Sequence, residues 1–170
     1  MNDIYISQEE YDDLVERLVL QVAESGYQFD TILCLARGGM RVGDIFSRVH
    51  DMPLAILAAS SYREEAGKKQ STLDIATFIT KTGGDIAGKL LLVDDMLDTG
   101  KTAIEVIDHL KKKYPAVTEI RTAVLWLKAR SLLKPDYYVE FLEGNPWIHQ
   151  PFERYDALGI ERLRQRHGLD

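Results

Sequence analysis

Apolar residues in this chain fall into short solid runs separated by amphipathic stretches, and that alternation sets the expected elements. Leu90 to Val93 is the clearest run, four consecutive apolar residues closed off by polar ones. Such a run reads as a strand buried on both faces, as in the interior of a parallel sheet. Thr31 to Ala36, Leu54 to Ala59, Thr118 to Leu127 and Tyr137 to Phe141 read as strands too. Between them lie helical periods. Tyr11, Leu14, Val15, Leu18 and Val22 mark one apolar face, Val42, Ile45, Phe46 and Val49 a second, and Ala103, Val106, Ile107 and Leu110 a third. Ser7 and Glu10 have the spacing of a capping box at the start of the first helix, and Gly26 is its stop. Lys111-Lys112-Lys113 suits the C-terminus of the third, and Pro115 ends it. Thr72 to Ile79 carries the β-branched residues of a strand and pairs in expectation with Leu54 to Ala59, as a long hairpin around a polar tip. Taken with no other information, that tip reads as a solvated loop. Strands alternating with helices predict an α/β fold: a central parallel sheet, helices on both of its faces, and an appended hairpin.

Composition narrows the function classes. The 170 residues predict one domain spanning 1–170, with 45% apolar and 28% charged residues, an ordinary globular balance. A net charge of −6 argues against a nucleic-acid or anionic-membrane partner. The single cysteine, Cys34, sits inside an apolar run and reads as a buried inert thiol rather than a nucleophile. With no partner for a disulfide, the chain fits a reducing cytoplasm. The N-terminus is not basic and does not read as a signal peptide, and no segment has the apolar length of a membrane span.

Candidate chemistry gathers where Leu90 to Val93 meets the third helix. Asp94 and Asp95 follow the apolar run, then Asp98, then Thr99-Gly100-Lys101-Thr102. This predicts a loop between a strand's carboxyl end and a helix N-terminus, the place where open α/β sheets bind ligands. The helix end suits a phosphate. The paired carboxylates suit vicinal hydroxyls or a hydrated Mg²⁺. A phosphate pocket beside hydroxyl-binding acids describes a ribose 5-phosphate site. Helix capping by Asp98 or Thr99 would explain one residue but not the pair. A P-loop needs glycine where Asp95 stands, which excludes it despite the Gly100-Lys101-Thr102 run. A second strand-to-helix turn, Arg37-Gly38-Gly39, offers a charge and backbone that can approach an anion, or is a plain turn.

The stretch Leu90 to Thr102 resembles the signature of type I phosphoribosyltransferases: four apolar residues, two acids, a spacer and Asp-Thr-Gly-x-Thr. The likeness extends from about Ile32 to Glu153. It implies the type I phosphoribosyltransferase fold, with a flexible loop at about 61–72, opening with Ser-Tyr, and a base-binding hood at about 128–155. It also implies roles. Asp94 and Asp95 bind the ribose, and Asp98, Thr99, Gly100, Lys101 and Thr102 cradle the 5-phosphate. Arg37, Gly38, Gly39 and one of Lys68 and Lys69 hold pyrophosphate. Asp98 is the general base, and Mg²⁺ is the cofactor, with Asp94 and Glu153 as its ligands. A non-proline cis peptide is expected at Ala36–Arg37. Lys128, Trp147 and Ile148 occupy the base-binding places of purine phosphoribosyltransferases, and Trp-Ile-x-Gln-Pro is similar to the run in bacterial xanthine-guanine enzymes. Three departures stand out: Ala36 for a small hydroxyl residue, His149 for an acid and Glu153 for Asp. The implied reaction joins guanine, hypoxanthine or xanthine to phosphoribosyl pyrophosphate. The implied assembly is a homodimer or homotetramer, and the partners are small molecules. The alternative is a regulator that senses phosphoribosyl pyrophosphate without transferase activity.

Overall fold

The computed structural model describes residues 3–61 and 73–169. Its main sheet is built from β2 (Thr31–Ala36), β3 (Leu54–Ser61), β4 (Leu73–Ile75), β5 (Gly88–Leu97), β6 (Val117–Lys128) and β7 (Tyr137–Leu142). They lie in the order β4-β3-β2-β5-β6-β7. All neighbours are parallel except β4, which runs antiparallel to β3. The solid apolar runs have a direct cause in this architecture. Ile32, Cys34, Leu91, Val93, Ala123 and Leu125 face α1 (Gln8–Glu24) and α2 (Met40–His50). Their neighbours Leu33, Leu35, Leu90 and Leu92 face the opposite side, packed with Val106 and Leu110 of α3 (Lys101–Lys113). Both faces are covered, so alternate residues are both apolar. Phe46 and Trp126 are fully buried in the first layer; truncating either to alanine would cost about 3–5 kcal/mol.

The expected helices are present, with the Ser7–Glu10 capping box formed in both directions. Cys34 is fully buried, and burial pushes its thiol up to about 11, which fits an inert core residue. The hairpin strand is shorter than Thr72 to Ile79. Regular pairing covers only Leu73–Ile75, after which the chain rejoins β3 at a single Ile56–Thr80 bridge. Ile75, Ala76 and Ile79 pack inward while Phe78 is exposed, so the alternation breaks where the ladder does.

A second correction bears on the site. The strand that begins in the Leu90 run does not end at Val93. It continues to Leu97, with Asp94, Met96 and Leu97 paired to Val124, Trp126 and Leu127 of the long β6. On its other side, pairing with β2 stops at Cys34–Val93. Asp94 and Asp95 therefore sit on a strand that has lost one neighbour. From β2 the chain passes through α2 to β3 on one side, and from β5 through α3 to β6 on the other. The carboxyl ends of β2 and β5 are the point where strand order reverses, the standard ligand site of such sheets.

Sequence patterning missed a small second sheet. β1 (Ile4–Tyr5) pairs parallel with β8 (Ile148–His149). A short 3₁₀ turn, Glu153–Tyr155, and α4 (Ile160–Arg166) follow. Among the described residues, no helix is long and apolar enough to cross a membrane.

Candidate active site

A cleft of about 860 Å³ opens over the reversal point, with Arg37, Gly38, Asp94, Asp95, Asp98, Thr102, Lys128, Trp147 and Gln150 among its lining residues. One wall is the turn after β2. The Ala36–Arg37 peptide is cis, as expected. Gly38 is required here. A Cβ on it would lie 2.6 Å from Asp95 Oδ1 and 2.9 Å from Asp94 Oδ1, so any side chain would displace both carboxylates. Gly39 N–H donates to Leu35 O at 2.8 Å, closing the turn; the residue caps α2, and its backbone also bears on the Asp94 carboxylate.

The aspartate pair forms the floor. Asp95 N–H donates to Asp94 Oδ1 at 2.9 Å, Met96 N–H donates to Asp95 Oδ1 at 2.7 Å, and Gln150 Nε2 donates to Asp95 Oδ2 at 2.5 Å. The cleft leaves both residues partly exposed, but protein packs closely around them. Desolvation, followed by the charge of Asp95, pushes Asp94 well above the ordinary carboxyl range; desolvation also raises Asp95, against its hydrogen bonds from Gln150 and Met96. Such a pair takes hydroxyl donors or a cation readily. Among the described residues no cluster of three metal-ligating side chains occurs. The donor chemistry nonetheless fits a cation shared with a ligand's own oxygens at Asp94, since Mg²⁺ is usually held by one or two carboxylates plus phosphate and water.

Four residues on, Asp98 has the opposite surroundings. Arg130 grips it with two donors, Nε to Oδ1 at 2.6 Å and Nη2 to Oδ2. Lys128 Nζ lies 3.6 Å from Oδ1. The Arg130 bond comes first among the causes that hold its carboxyl below the ordinary range, with desolvation opposing. Lys128, the last residue of β6, is buried and also donates to Asn145 Oδ1 at 3.1 Å. Asp94, Asp98, Thr99, Gly100 and Thr102 line a smaller recess of about 140 Å³ at the N-terminus of α3. Lys101 begins that helix, is exposed, and does not line the recess.

The opposite wall is the loop that carries β8. Trp147 is half exposed and donates from Nε1 to Glu153 Oε2 at 3.2 Å. The Glu153 carboxylate also lies 3.5 Å from His149 Nδ1, and it lines the same cleft as Asp94. Ile148 lines the cleft, but its side chain belongs to the core. The loop is tied to the N-terminal segment. Ile4 N–H donates to Trp147 O at 2.8 Å, Ile6 N–H to His149 O at 3.0 Å, and His149 Nε2 lies 3.1 Å from Asp3 Oδ2. Tyr5 stacks on His149 with ring centroids 4.3 Å apart.

The structure thus brings together Arg37, Gly38, Asp94, Asp95, Asp98, Thr99, Gly100, Thr102, Lys128, Trp147 and Glu153. Ser61, the first residue of the expected loop, ends β3 and pairs with Leu73, whereas Lys68, Lys69 and the rest of 62–72 lie outside the described residues. Sequence reasoning missed Arg130, Asn145, Gln150 and the Asp3–Ile6 segment. Gln150 stood inside the Trp-Ile-x-Gln-Pro run and Arg130 two residues past Lys128; those were the available signals.

Comparison with known proteins agrees with this geometry. Residues 7–157 match the phosphoribosyl transferase domain family. The xanthine-guanine phosphoribosyltransferase of Ruegeria sp. (strain TM1040) is 23% identical over 143 residues, covering 82% of this chain and 74% of that protein. The orotate phosphoribosyltransferase of Methanospirillum hungatei JF-1 is 27% identical over 112 residues, covering 65% of this chain and 58% of that protein. Among solved structures, the purine phosphoribosyltransferase of Pyrococcus horikoshii Ot3 superposes with a TM-score of 0.74 at 30% identity, covering 89% of this chain and 94% of that one. The chain belongs to the phosphoribosyl transferase family and has the type I phosphoribosyltransferase fold. It is an enzyme of the glycosyltransferase type.

Proposed function

We propose that this enzyme joins a 6-oxopurine, guanine, hypoxanthine or xanthine, to phosphoribosyl pyrophosphate, giving the nucleoside monophosphate and pyrophosphate. The observation that carries this reading is the Lys128 ammonium, buried along its length and delivered to the cleft between Asp98 and Asn145. An ammonium donates and does not accept. It suits the 6-oxo group of a purine and opposes the hydrogens of a 6-amino group. The purine and xanthine-guanine enzymes similar to this chain support the same substrate class.

The remaining groups divide the work. The 5-phosphate would take the N-terminal backbone of α3 with the Thr99 and Thr102 hydroxyls, where helix N–H groups and dipole favour an anion. Asp94 and Asp95 would hold the ribose 2- and 3-hydroxyls and offset the positive charge that develops at C1, as in glycoside chemistry. Arg37 and the Gly38 amide would hold the leaving pyrophosphate. Mg²⁺ would supply charge neutralisation of that pyrophosphate, with Asp94 as the protein carboxylate placed to hold it. Asp98 would accept the purine N7 hydrogen, and Trp147 would stack on the base. Glu153 holds the Trp147 indole.

Pyrophosphate release tests this with each nucleobase in turn, including adenine and orotate. Turnover on 6-oxopurines supports it. Turnover confined to orotate, or tight phosphoribosyl pyrophosphate binding with no turnover on any base, would replace it with an orotate enzyme or a sensing protein.

A further inference from the structure

We propose that Arg130 is a positioning residue for the purine: it fixes the Asp98 carboxylate, together with Lys128, as a charged acceptor facing an N–H of the base. This rests on the 6-oxopurine reading above.

The geometry is specific to a guanidinium. Two donors meet two oxygens, so the plane of the carboxylate is fixed as well as its distance, which a single ammonium cannot do. Lys128 approaches Oδ1 alone. The charged groups acting on Asp98 are these two cations, one at the end of β6 and one just beyond it.

The loop backbone does not depend on Arg130. Leu132 N–H donates to Thr99 O at 2.9 Å, and Ser131 N–H donates to Lys128 O at 2.9 Å. Gly100, at φ +74°, is closed over by the same loop: a Cβ there would lie 2.6 Å from Ser131 Oγ. The two loops are keyed together by main chain and by Ser131. Both ion-pair partners are substantially exposed, at 48% and 40% of their side chains, and exposed pairs contribute little to folding. Removing the guanidinium should therefore release the carboxylate and leave the fold intact.

Steady-state kinetics of Arg130→Ala and Arg130→Lys across the acid and neutral range test this, each variant checked by its melting temperature. Misplacing a reacting group by a fraction of its contact distance can cost on the order of 10²-fold. Arg130→Ala should lower kcat on guanine or hypoxanthine by about 10- to 100-fold with the KM for phosphoribosyl pyrophosphate unchanged. The acid limb of kcat/KM should move to higher pH, because Asp98 loses the partner that favours its ionised form. Arg130→Lys should restore the acid limb, which follows charge, but not kcat, which follows orientation. Parental kcat and acid limb in Arg130→Ala would overturn the proposal. So would a loss confined to the phosphoribosyl pyrophosphate KM, full rescue of kcat by lysine, or a melting temperature far below the parent's. A parent protein without turnover on any 6-oxopurine would instead defeat the functional reading on which this rests.

Discussion

Asp94 and Asp95, near the carboxyl end of β5, and Asp98, on the loop just after it, are the same residue type with opposite electrostatic fates. The pair lies where β2 has left the sheet, crowded by Gly38, desolvated and short of positive charge. Its proton affinity is raised. Asp98 lies against two cations, and its proton affinity is lowered. Composition does not distinguish the three; surroundings do. The pair is held by neutral donors, the Asp95 and Met96 amides and Gln150, while the single carboxylate is held by cations.

The largest effect should be on base choice, because Lys128 is shared between Asp98 and the proposed base. A site built on a hydrogen bond can reject the analogue that cannot make it by on the order of 10⁴ in kcat/KM. We expect a preference of that order for guanine over adenine, measured as pyrophosphate release, and its collapse in Lys128→Ala while phosphoribosyl pyrophosphate affinity holds. Adenine used as well as guanine would break the lysine role.

Next comes Asp98→Ala. It should lower kcat by about 10²–10⁴-fold with sugar-phosphate binding nearly intact, checked by rapid-quench turnover and calorimetry. If affinity falls and the chemical rate does not, Asp98 belongs with the ribose pair after all.

Asp94→Asn should do two opposite things. It should weaken phosphoribosyl pyrophosphate binding and turnover, yet stabilise the ligand-free protein in chelator. A carboxyl whose pKa is raised on folding contributes stability at low pH and loses it as pH rises through the folded value. At neutral pH the ionised group is therefore a liability, which the amide removes. A gain on the order of 1 kcal/mol would raise the melting temperature by about 2–4 °C. The gain should shrink as pH falls and Asp94 protonates. A lower melting temperature at neutral pH would show that the pair is already satisfied.

The smallest effect concerns the N-terminal segment. Tyr5→Ala removes the ring stacked on His149, and should raise the KM for the base a few-fold with little change for phosphoribosyl pyrophosphate, since an aromatic pair contributes roughly 0.5–1.5 kcal/mol.

The legibility of these features in sequence follows from their physics. Strands buried on both faces announce themselves as solid apolar runs, so β2 and the core of β5 were visible. The continuation of β5 through Asp94–Leu97 was not, because pairing with β6 holds two acidic residues in a strand. β1 and β8 are two residues each, too short for any period. The Asp98–Arg130 contact joins residues 32 positions apart, and Gln150–Asp95 joins residues 55 apart. Spacing along the chain carries no trace of either. Lys128 and Trp147 were legible through family resemblance, whereas the groups that hold them, Asn145 and Glu153's bond to the indole, came only from the fold.

Carbon-detected NMR titration of the aspartate carboxyls in the ligand-free, metal-free protein would test the contrast most directly. Asp98 should titrate below the ordinary aspartate value of 3.8 and Asp94 and Asp95 above it, with Asp94 displaced the furthest. Three aspartates titrating together near that value, or Asp98 above the pair, would contradict the division of one strand and its loop into a cation-seeking site and a cation-held one.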